Sequence, residues 1–210
     1  MMLFRQTLFV FFVVCAALTS GALAQEPSSS HQWTGFYIGA HGGGGEGRLE
    51  GATTDLTGGE AGGHIGFNWQ CKNVVLGVEA DLSWMGYDNN ISTTITGFNI
   101  SAGASQDYMT SLRGRLGFVE GPVMLYGTFG IAYTEVEASF SVTGPGINIS
   151  DTQTAELSGI IGGMGLEYAL GPNFSLRGEA LWFEVHPDFD FSRPGYDGNV
   201  FRGGLSYHFN

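Results

Sequence analysis

Cysteine is nearly absent from this sequence, whose 210 residues contain two. Cys15 lies in an N-terminal leader, so the exported chain would keep Cys71 alone and could form no internal disulfide. Basic residues are also scarce, with eight Lys and Arg against 20 Asp and Glu and a formal net charge of −12. Because phosphate backbones are bound by clustered Lys and Arg, nucleic acid is excluded as an expected partner.

Long apolar runs are missing once the first residues are set aside. Arg5, an apolar run over residues 8–18 and a small-x-small site ending at Ala24 follow the order of a secretory signal peptide, predicted here as residues 1–24. That run is shorter than the ~20 apolar residues of a membrane-spanning helix, and no later stretch reaches that length. An exported chain of this kind can cross a membrane only as a closed β-barrel.

Glycine and alternating segments are what the sequence has in abundance. Glycine supplies 35 residues, and eight segments alternate apolar with polar or glycine positions, without a helical period. These segments cover approximately residues 33–45, 58–70, 73–84, 106–119, 122–137, 156–170, 173–185 and 198–209. Connections after the second, fourth and sixth segments are tight. The other connections are polar and about 12–21 residues long.

This sorting of connections predicts an all-β fold, an eight-stranded antiparallel up-and-down transmembrane β-barrel. Such barrels keep short turns on the periplasmic side and long loops outside the cell. Residues 33–210 are the predicted outer-membrane barrel domain, and residues 25–32 a short periplasmic segment before it. The long loops, such as "ISTTITGFNISAGAS" (residues 91–105), are expected to be largely mobile.

Charged residues concentrate on the glycine-bearing face of the segments, so the apolar face is assigned to lipid and the polar face to the lumen. An eight-stranded lumen is just wide enough for side chains to fill it, and ions buried there must be paired. We predict a network of Arg–carboxylate pairs that plugs the lumen, formed by Glu79, Asp81, Arg113, Arg115, Glu167, Arg177, Glu179 and Arg202. Two roles stay open for it: a structural plug, or a gate whose pairs rearrange to let small solutes pass.

Aromatic residues near the segment ends predict girdles at the two membrane interfaces. The residues assigned to these girdles are Trp33, Tyr37, Trp69, Trp84, Tyr108, Tyr133, Tyr168, Trp182, Tyr207 and Phe209.

Few residues point to chemistry. No G-x-S-x-G motif occurs, and the glycine-rich residues 39–47 are not followed by the helix that a phosphate loop requires. No two histidines have the local spacing of a metal site. We expect no enzyme activity, no metal and no cofactor. His31 and His186, predicted to lie outside strands, are the candidate haem ligands.

Several stretches carry a family resemblance. "WTGFYIGAHGG" from Trp33, "GGHIGFNWQ" with "VVLGVEADLSW", and "SLRGRLGF" with "LYGTFGIAY" resemble the small alphaproteobacterial outer-membrane proteins called immunogenic or porin-family proteins. "GGMGLEYAL" with "SLRGEALWF" is similar to their late strands. The resemblance implies a barrel similar to the transmembrane domain of outer-membrane protein A, among proteins described as surface antigens, envelope-stabilising proteins, porins and, in some branches, haem binders. This chain departs from the family where Asn210 follows the last aromatic residue.

The expected function is therefore structural, in envelope integrity and as a surface antigen, in the outer membrane of a Gram-negative cell. The alternatives are a narrow gated porin for small solutes, and a surface binding protein that takes haem or a host ligand through its loops. Expected partners are outer-membrane lipid, lipopolysaccharide and, during biogenesis, the barrel-assembly machinery.

Overall fold

The chain folds into a ring of eight strands. A computed structural model describes residues 31–49, 55–95, 98–190 and 195–209. The strands are β1 (Gly35–Leu49), β2 (Asp55–Cys71), β3 (Val74–Ile95), β4 (Phe98–Glu120), β5 (Val123–Gly144), β6 (Ile147–Ala169), β7 (Phe174–His186) and β8 (Tyr196–Phe209). Each strand pairs antiparallel with the next, and β8 pairs with β1, which confirms the predicted eight-stranded barrel.

Other regular structure is limited. A 3₁₀ turn, Pro187–Phe189, follows β7. Among the described residues, no helix is long and apolar enough to cross a membrane. The signal peptide predicted at residues 1–24 and the terminal Asn210 lie outside the described part of the chain.

The barrel wall turns its apolar side chains outward. Successive side chains of a strand point to opposite faces, and on β4 the outward positions Leu112, Leu116 and Phe118 are more than half exposed, whereas the intervening arginines are buried. The outward aromatics Tyr108 and Phe118 lie ten positions apart on β4. At about 3.3 Å per residue and a tilt of roughly 40°, that separation gives an apolar band about 25 Å tall, the height that a bilayer requires.

Two of the predicted long loops are strands instead. β3 and β4 continue as a paired hairpin to Ile95 and Phe98, and β5 and β6 to Gly144 and Ile147. β4 and β5 also stay paired as far as Asn99↔Thr143. The expectation of a mobile loop at residues 91–105 is therefore wrong for its described part. Its β-branched residues, including Ile91, Thr93, Thr94, Ile95 and Ile100, favour β-structure.

We call this four-stranded extension the projecting sheet. It comprises residues 88–95, 98–106, 136–144 and 147–157, which lie on the extracellular side of the girdle residues Trp84, Tyr108 and Tyr133. Within it, β4 is the described strand that pairs with β3, because β2 pairs with β3 only up to Tyr87. Likewise β5 is the described strand that pairs with β6, because β7 pairs with β6 only from Ser158; the 3₁₀ turn Pro187–Phe189 also lies close to β6.

A β-bulge on β4 changes which side chains enter the barrel. The register between β4 and β5 shifts between Gln106 and Tyr108, so that Asp107, which alternation assigns to the lumen, is exposed. Gln106 is buried in its place, where it donates to Thr134 Oγ1 (2.8 Å) and accepts from the Tyr196 hydroxyl (2.9 Å).

Inward-facing glycines make room for large side chains from neighbouring strands. A Cβ on Gly66 would collide with the Tyr37 ring and with the Val78 carbonyl oxygen, and a Cβ on Gly165 would collide with the Tyr126 ring. The high glycine content thus lets a narrow barrel hold aromatic side chains inside.

The girdle prediction is wrong for Trp33 and Tyr37. Both are completely buried, Tyr37 in the lumen and Trp33 in the periplasmic mouth of the barrel. Trp33 precedes the first strand, so alternation along β1 does not determine where its side chain goes. The other girdle residues are partly or largely exposed on the outer wall, including Trp69, Trp84 and Trp182.

Candidate functional site

The eight predicted network residues all lie buried in the barrel interior. They come from five strands: Glu79 and Asp81 from β3, Arg113 and Arg115 from β4, Glu167 from β6, Arg177 and Glu179 from β7, and Arg202 from β8. The strand register places opposite charges side by side, as in the cross-strand pairs Glu79↔Arg113, Glu167↔Arg177 and Glu179↔Arg202. The register between neighbouring strands therefore brings these opposite charges together.

Glu79 is the centre of this network. Arg177 grips its carboxylate with both terminal nitrogens, Nη1 to Oε2 at 2.7 Å and Nη2 to Oε1 at 2.9 Å. Arg113 Nη2 donates to Oε1 at 2.5 Å, and Arg115 Nη1 lies 3.3 Å from Oε2. The Tyr37 hydroxyl completes the set with a 2.8 Å hydrogen bond. One carboxylate thus holds three guanidinium groups from two strands.

The other three carboxylates spread the network across the lumen. Glu179 Oε2 accepts from Arg202 Nε (2.8 Å) and lies 2.7 Å from Arg177 Nη2. Asp81 bridges Arg113 (2.9 Å) and Arg202 (3.2 Å).

Glu167 bonds Arg115 Nη2 at 2.8 Å on one oxygen and the Ser175 hydroxyl on the other. Each of the four arginines therefore contacts at least two carboxylates.

Sequence reasoning missed the tyrosines that serve this network. The Tyr126 hydroxyl donates to Glu179 Oε1 (2.8 Å), and the guanidinium of Arg115 stacks 3.9 Å above the Tyr126 ring. Arg115 Nη1 also donates to the Tyr37 hydroxyl at 2.7 Å. Strand alternation is sufficient to predict that Tyr126 faces the lumen, because Tyr126 shares its face of β5 with Met124 and Thr128.

A pair of histidines continues the polar interior beside the ion pairs. Arg202 Nη1 lies 3.3 Å from His41 Nε2, and since a guanidinium can only donate, this nitrogen accepts. A neutral His41 then carries its proton on Nδ1 and donates it to His64 Nδ1, 3.2 Å away. His64 Nε2 in turn donates to Ser206 Oγ at 2.9 Å. Neutral imidazoles satisfy every step of this chain.

Apolar layers cover the charged interior at both ends. The periplasmic layer consists of Trp33, Val75, Val119, Met124, Tyr126 and Ala169. The outer layer consists of Met85, Met109, Ala132, Val136, Leu157, Ile161, Leu181, Phe183, Val185, Tyr196 and Val200. The ion pairs therefore lie between two packed apolar clusters, each with residues from several strands.

The two haem candidates lie at opposite ends of the barrel. His31 Nδ1 donates to the carbonyl of Gly171 in the periplasmic turn after β6 (2.9 Å). His186 is the last residue of β7 at the outer end, and it is 5% exposed, so its expected place outside the strands is wrong. The 13 residues of β7 separate these two ends. The two histidines cannot share one haem iron.

The environment of His31 makes its imidazole harder to protonate. Burial lowers the pKa of His31, and the neighbouring His208 lowers this pKa further. The hydrogen bond to Gly171 and the charge of Glu167 oppose the shift. The ring also packs edge-on against Trp33, with 4.4 Å between ring centroids. Among the described residues, no three His, Cys, Asp or Glu side chains are grouped to hold a metal ion.

Comparison with known proteins finds a family model and relatives that are all described as outer-membrane proteins. Residues 13–209 match the family model described as the outer membrane protein beta-barrel domain. The 31 kDa outer-membrane immunogenic protein of Brucella melitensis biotype 1 is 28% identical, with 92% of this chain and 94% of that protein covered. The 22 kDa outer membrane protein of Rhizobium leguminosarum bv. viciae is 31% identical, with 84% and 78% covered.

Two solved structures are similar to this chain at low sequence identity. The attachment invasion locus protein Ail of Yersinia pestis has a TM-score of 0.48 and 16% identity, with 84% of this chain and 99% of that chain covered. Neisserial surface protein A has a TM-score of 0.46 and 15% identity, with 84% and 98% covered.

Proposed function

Because the chain belongs to the outer-membrane protein β-barrel family and resides in the outer membrane, we propose that it acts there as a sealed structural barrel. In this role it supports envelope integrity and presents a surface outside the cell. It catalyses no reaction, and its partners are the lipids and lipopolysaccharide around it.

The observation that carries this proposal is the filled interior. Each of the four arginines described in the lumen contacts two or more carboxylates, so moving one arginine breaks several ion pairs at once. Removing one partner of a buried pair costs about 3–5 kcal/mol, which opposes thermal opening. The apolar layers at both ends add packed side chains that a solute would have to displace. These features favour a plug over a gate.

A deletion strain tests this role. We expect cells without the protein to become more sensitive to detergent and to large antibiotics, and the wild-type gene to restore resistance. Unchanged sensitivity in the deletion strain would contradict the proposal.

A shortened variant separates the barrel from the β3–β4 part of the projecting sheet. Deleting residues 91–102 joins the cross-strand partners Asn90 and Gly103. Asn-Gly is a favoured two-residue hairpin turn, so the barrel below should still form. We expect this variant to restore resistance fully, with folding checked by the heat-dependent shift in gel mobility. A folded variant that fails to restore resistance would show that the function requires the β3–β4 hairpin and not the barrel alone.

A further inference from the structure

The projecting sheet has one mainly apolar face. Cross-strand partners share a face of an antiparallel sheet, and the pairs Ile95↔Phe98, Ile100↔Val142, Ala102↔Phe140 and Val142↔Ile149 are all apolar. The polar exceptions on β6 are Asp151 and Gln153, which lie opposite Phe140 and Ala138 on this face. Ile95, Phe140, Ile147 and Ile149 on this face are 43–58% exposed. The same face continues downward into Val136 and Leu157, which are buried in the outer apolar layer. The apolar interior of the barrel thus extends onto an exposed surface above it.

The other face of the projecting sheet is polar, and the charged residues in and around the sheet are all acidic. Residues 86–108 and 135–157 contain six Asp and Glu and no Lys or Arg. Glu135 on β5 lies directly opposite Glu156 on β6, a like-charge pair that is unfavourable without a nearby cation. The Tyr108 hydroxyl lies 3.3 Å from Glu135 but brings no charge. This face therefore favours a basic partner.

The upper part of β6 offers a free edge. β5 pairs with one side of β6 along its whole length, whereas the other side has no strand partner among the described strands from Ile147 to Leu157. The 3₁₀ turn Pro187–Phe189, which follows β7 on this side, is close to β6. Exposed edges in natural sheets are usually protected by Pro, Lys, bulges or short length. This stretch has eleven residues without Pro, Lys or Arg, and its side chains are exposed up to Glu156. Its free backbone groups can pair with a further strand.

We propose that the free edge of β6, Ile147–Leu157, binds an extended polypeptide segment from outside the cell in which apolar residues alternate with Lys or Arg. An added strand would hydrogen-bond to the edge, and its period of two would place the apolar side chains on the apolar face. Its basic side chains would then lie on the polar face, near Glu156 and Glu135. This binding is independent of the sealed lumen.

The test uses the full-length mature protein, refolded in detergent micelles and checked by its heat-dependent gel shift. The probe is a fluorescein-labelled ten-residue peptide of alternating Lys and Val, and binding is followed by fluorescence anisotropy. The control is the same peptide methylated at every backbone nitrogen, which keeps the side chains and removes the amide donors. We expect saturable binding of the first peptide and at least tenfold weaker binding of the second.

A pair of protein variants tests the charge contribution. Glu135→Gln/Glu156→Gln should weaken binding roughly three- to tenfold, because exposed ion pairs contribute modestly. Glu184→Gln/Asp197→Asn is the matched control. It removes another directly opposed pair of acids, on β7 and β8 outside the projecting sheet, and should change binding less than twofold.

Three peptide-binding results would overturn the proposal. These are no binding of the Lys–Val peptide, equal binding of the methylated peptide, and equal loss in both protein variants. Sedimentation of the protein in micelles tests a further occupant. A stable dimer that excludes the peptide, and that Thr152→Cys in a Cys71→Ser background traps as a disulfide-linked dimer, would also overturn the proposal and assign the edge to a second copy of this chain.

Discussion

Glu79→Gln is the substitution that most directly probes the charged interior. The variant keeps the shape of the side chain but removes the charge that Arg113, Arg115 and Arg177 share. The ion network then holds four arginines against three carboxylates. Losing one partner of a buried ion pair costs about 3–5 kcal/mol, and a domain of this kind is stable by about 5–15 kcal/mol in total. We therefore expect the free energy of unfolding to fall by about 4 kcal/mol.

The assay is urea unfolding of the refolded protein in detergent micelles, followed by tryptophan fluorescence and by the gel shift. Glu137→Gln, an exposed carboxylate on β5, is the matched control and should change stability by less than about 0.5 kcal/mol. Adding Arg177→Met to Glu79→Gln should recover part of the loss, with a coupling of about 0.5–3 kcal/mol. A Glu79→Gln variant as stable as the control would refute the central place of Glu79.

Three further substitutions or conditions test the packing of the interior and of its periplasmic mouth. Gly66→Val should either prevent folding or lower the free energy of unfolding by more than about 3 kcal/mol, because the new side chain would collide with the Tyr37 ring and the Val78 carbonyl oxygen. The control Gly178→Ala, on the outer face with open space around it, should fold normally. Trp33→Ala should cost about 3–5 kcal/mol in urea unfolding, whereas Trp69→Ala, 61% exposed on the outer wall, should cost clearly less. Burial lowers the pKa of His31, so protonation favours a state in which His31 and Trp33 leave the periplasmic mouth of the barrel. The packing of these two residues in the mouth should therefore weaken as pH falls below about 6.5. The measurement is quenching of Trp33 fluorescence by acrylamide, in a variant whose other tryptophans are replaced by Phe. Quenching should rise as the pH is lowered from 7.5 to 5, and constant quenching over this range would contradict the role of His31 in holding Trp33 in the mouth.

Strand alternation is sufficient to predict most of the interior. In β4 the inward positions Arg113 and Arg115 follow from the outward Leu112 and Leu116, and the structure buries both arginines. Their exact partners did not follow, because pairing depends on register between strands. Glu79 meets three arginines only once β3, β4 and β7 are aligned around the ring.

The wrong predictions have local physical causes. Strict alternation along β4 assigns Asp107 to the lumen. The β-bulge adds one residue at this point, so alternation shifts by one residue and Gln106 faces inward instead. The abundance of Ser, Thr and Gly predicts loops at residues 91–105 and in the β5–β6 connection, although backbone pairing continues as far as Ile95↔Phe98 and Gly144↔Ile147. Trp33 lies before the first strand, and His31 folds back against the periplasmic turn. Neither position has a periodic pattern from which its place could be read.

Single-channel recording tests the central claim, a sealed lumen, most directly. The mature protein would be refolded into a planar bilayer, with its folded state confirmed by the gel shift and the competence of the bilayer confirmed with a large porin. The account predicts a silent bilayer for the wild-type protein. Discrete, reproducible current steps, with an amplitude that rises in Arg113→Ala, would contradict it and show that the Arg–carboxylate network is a gate.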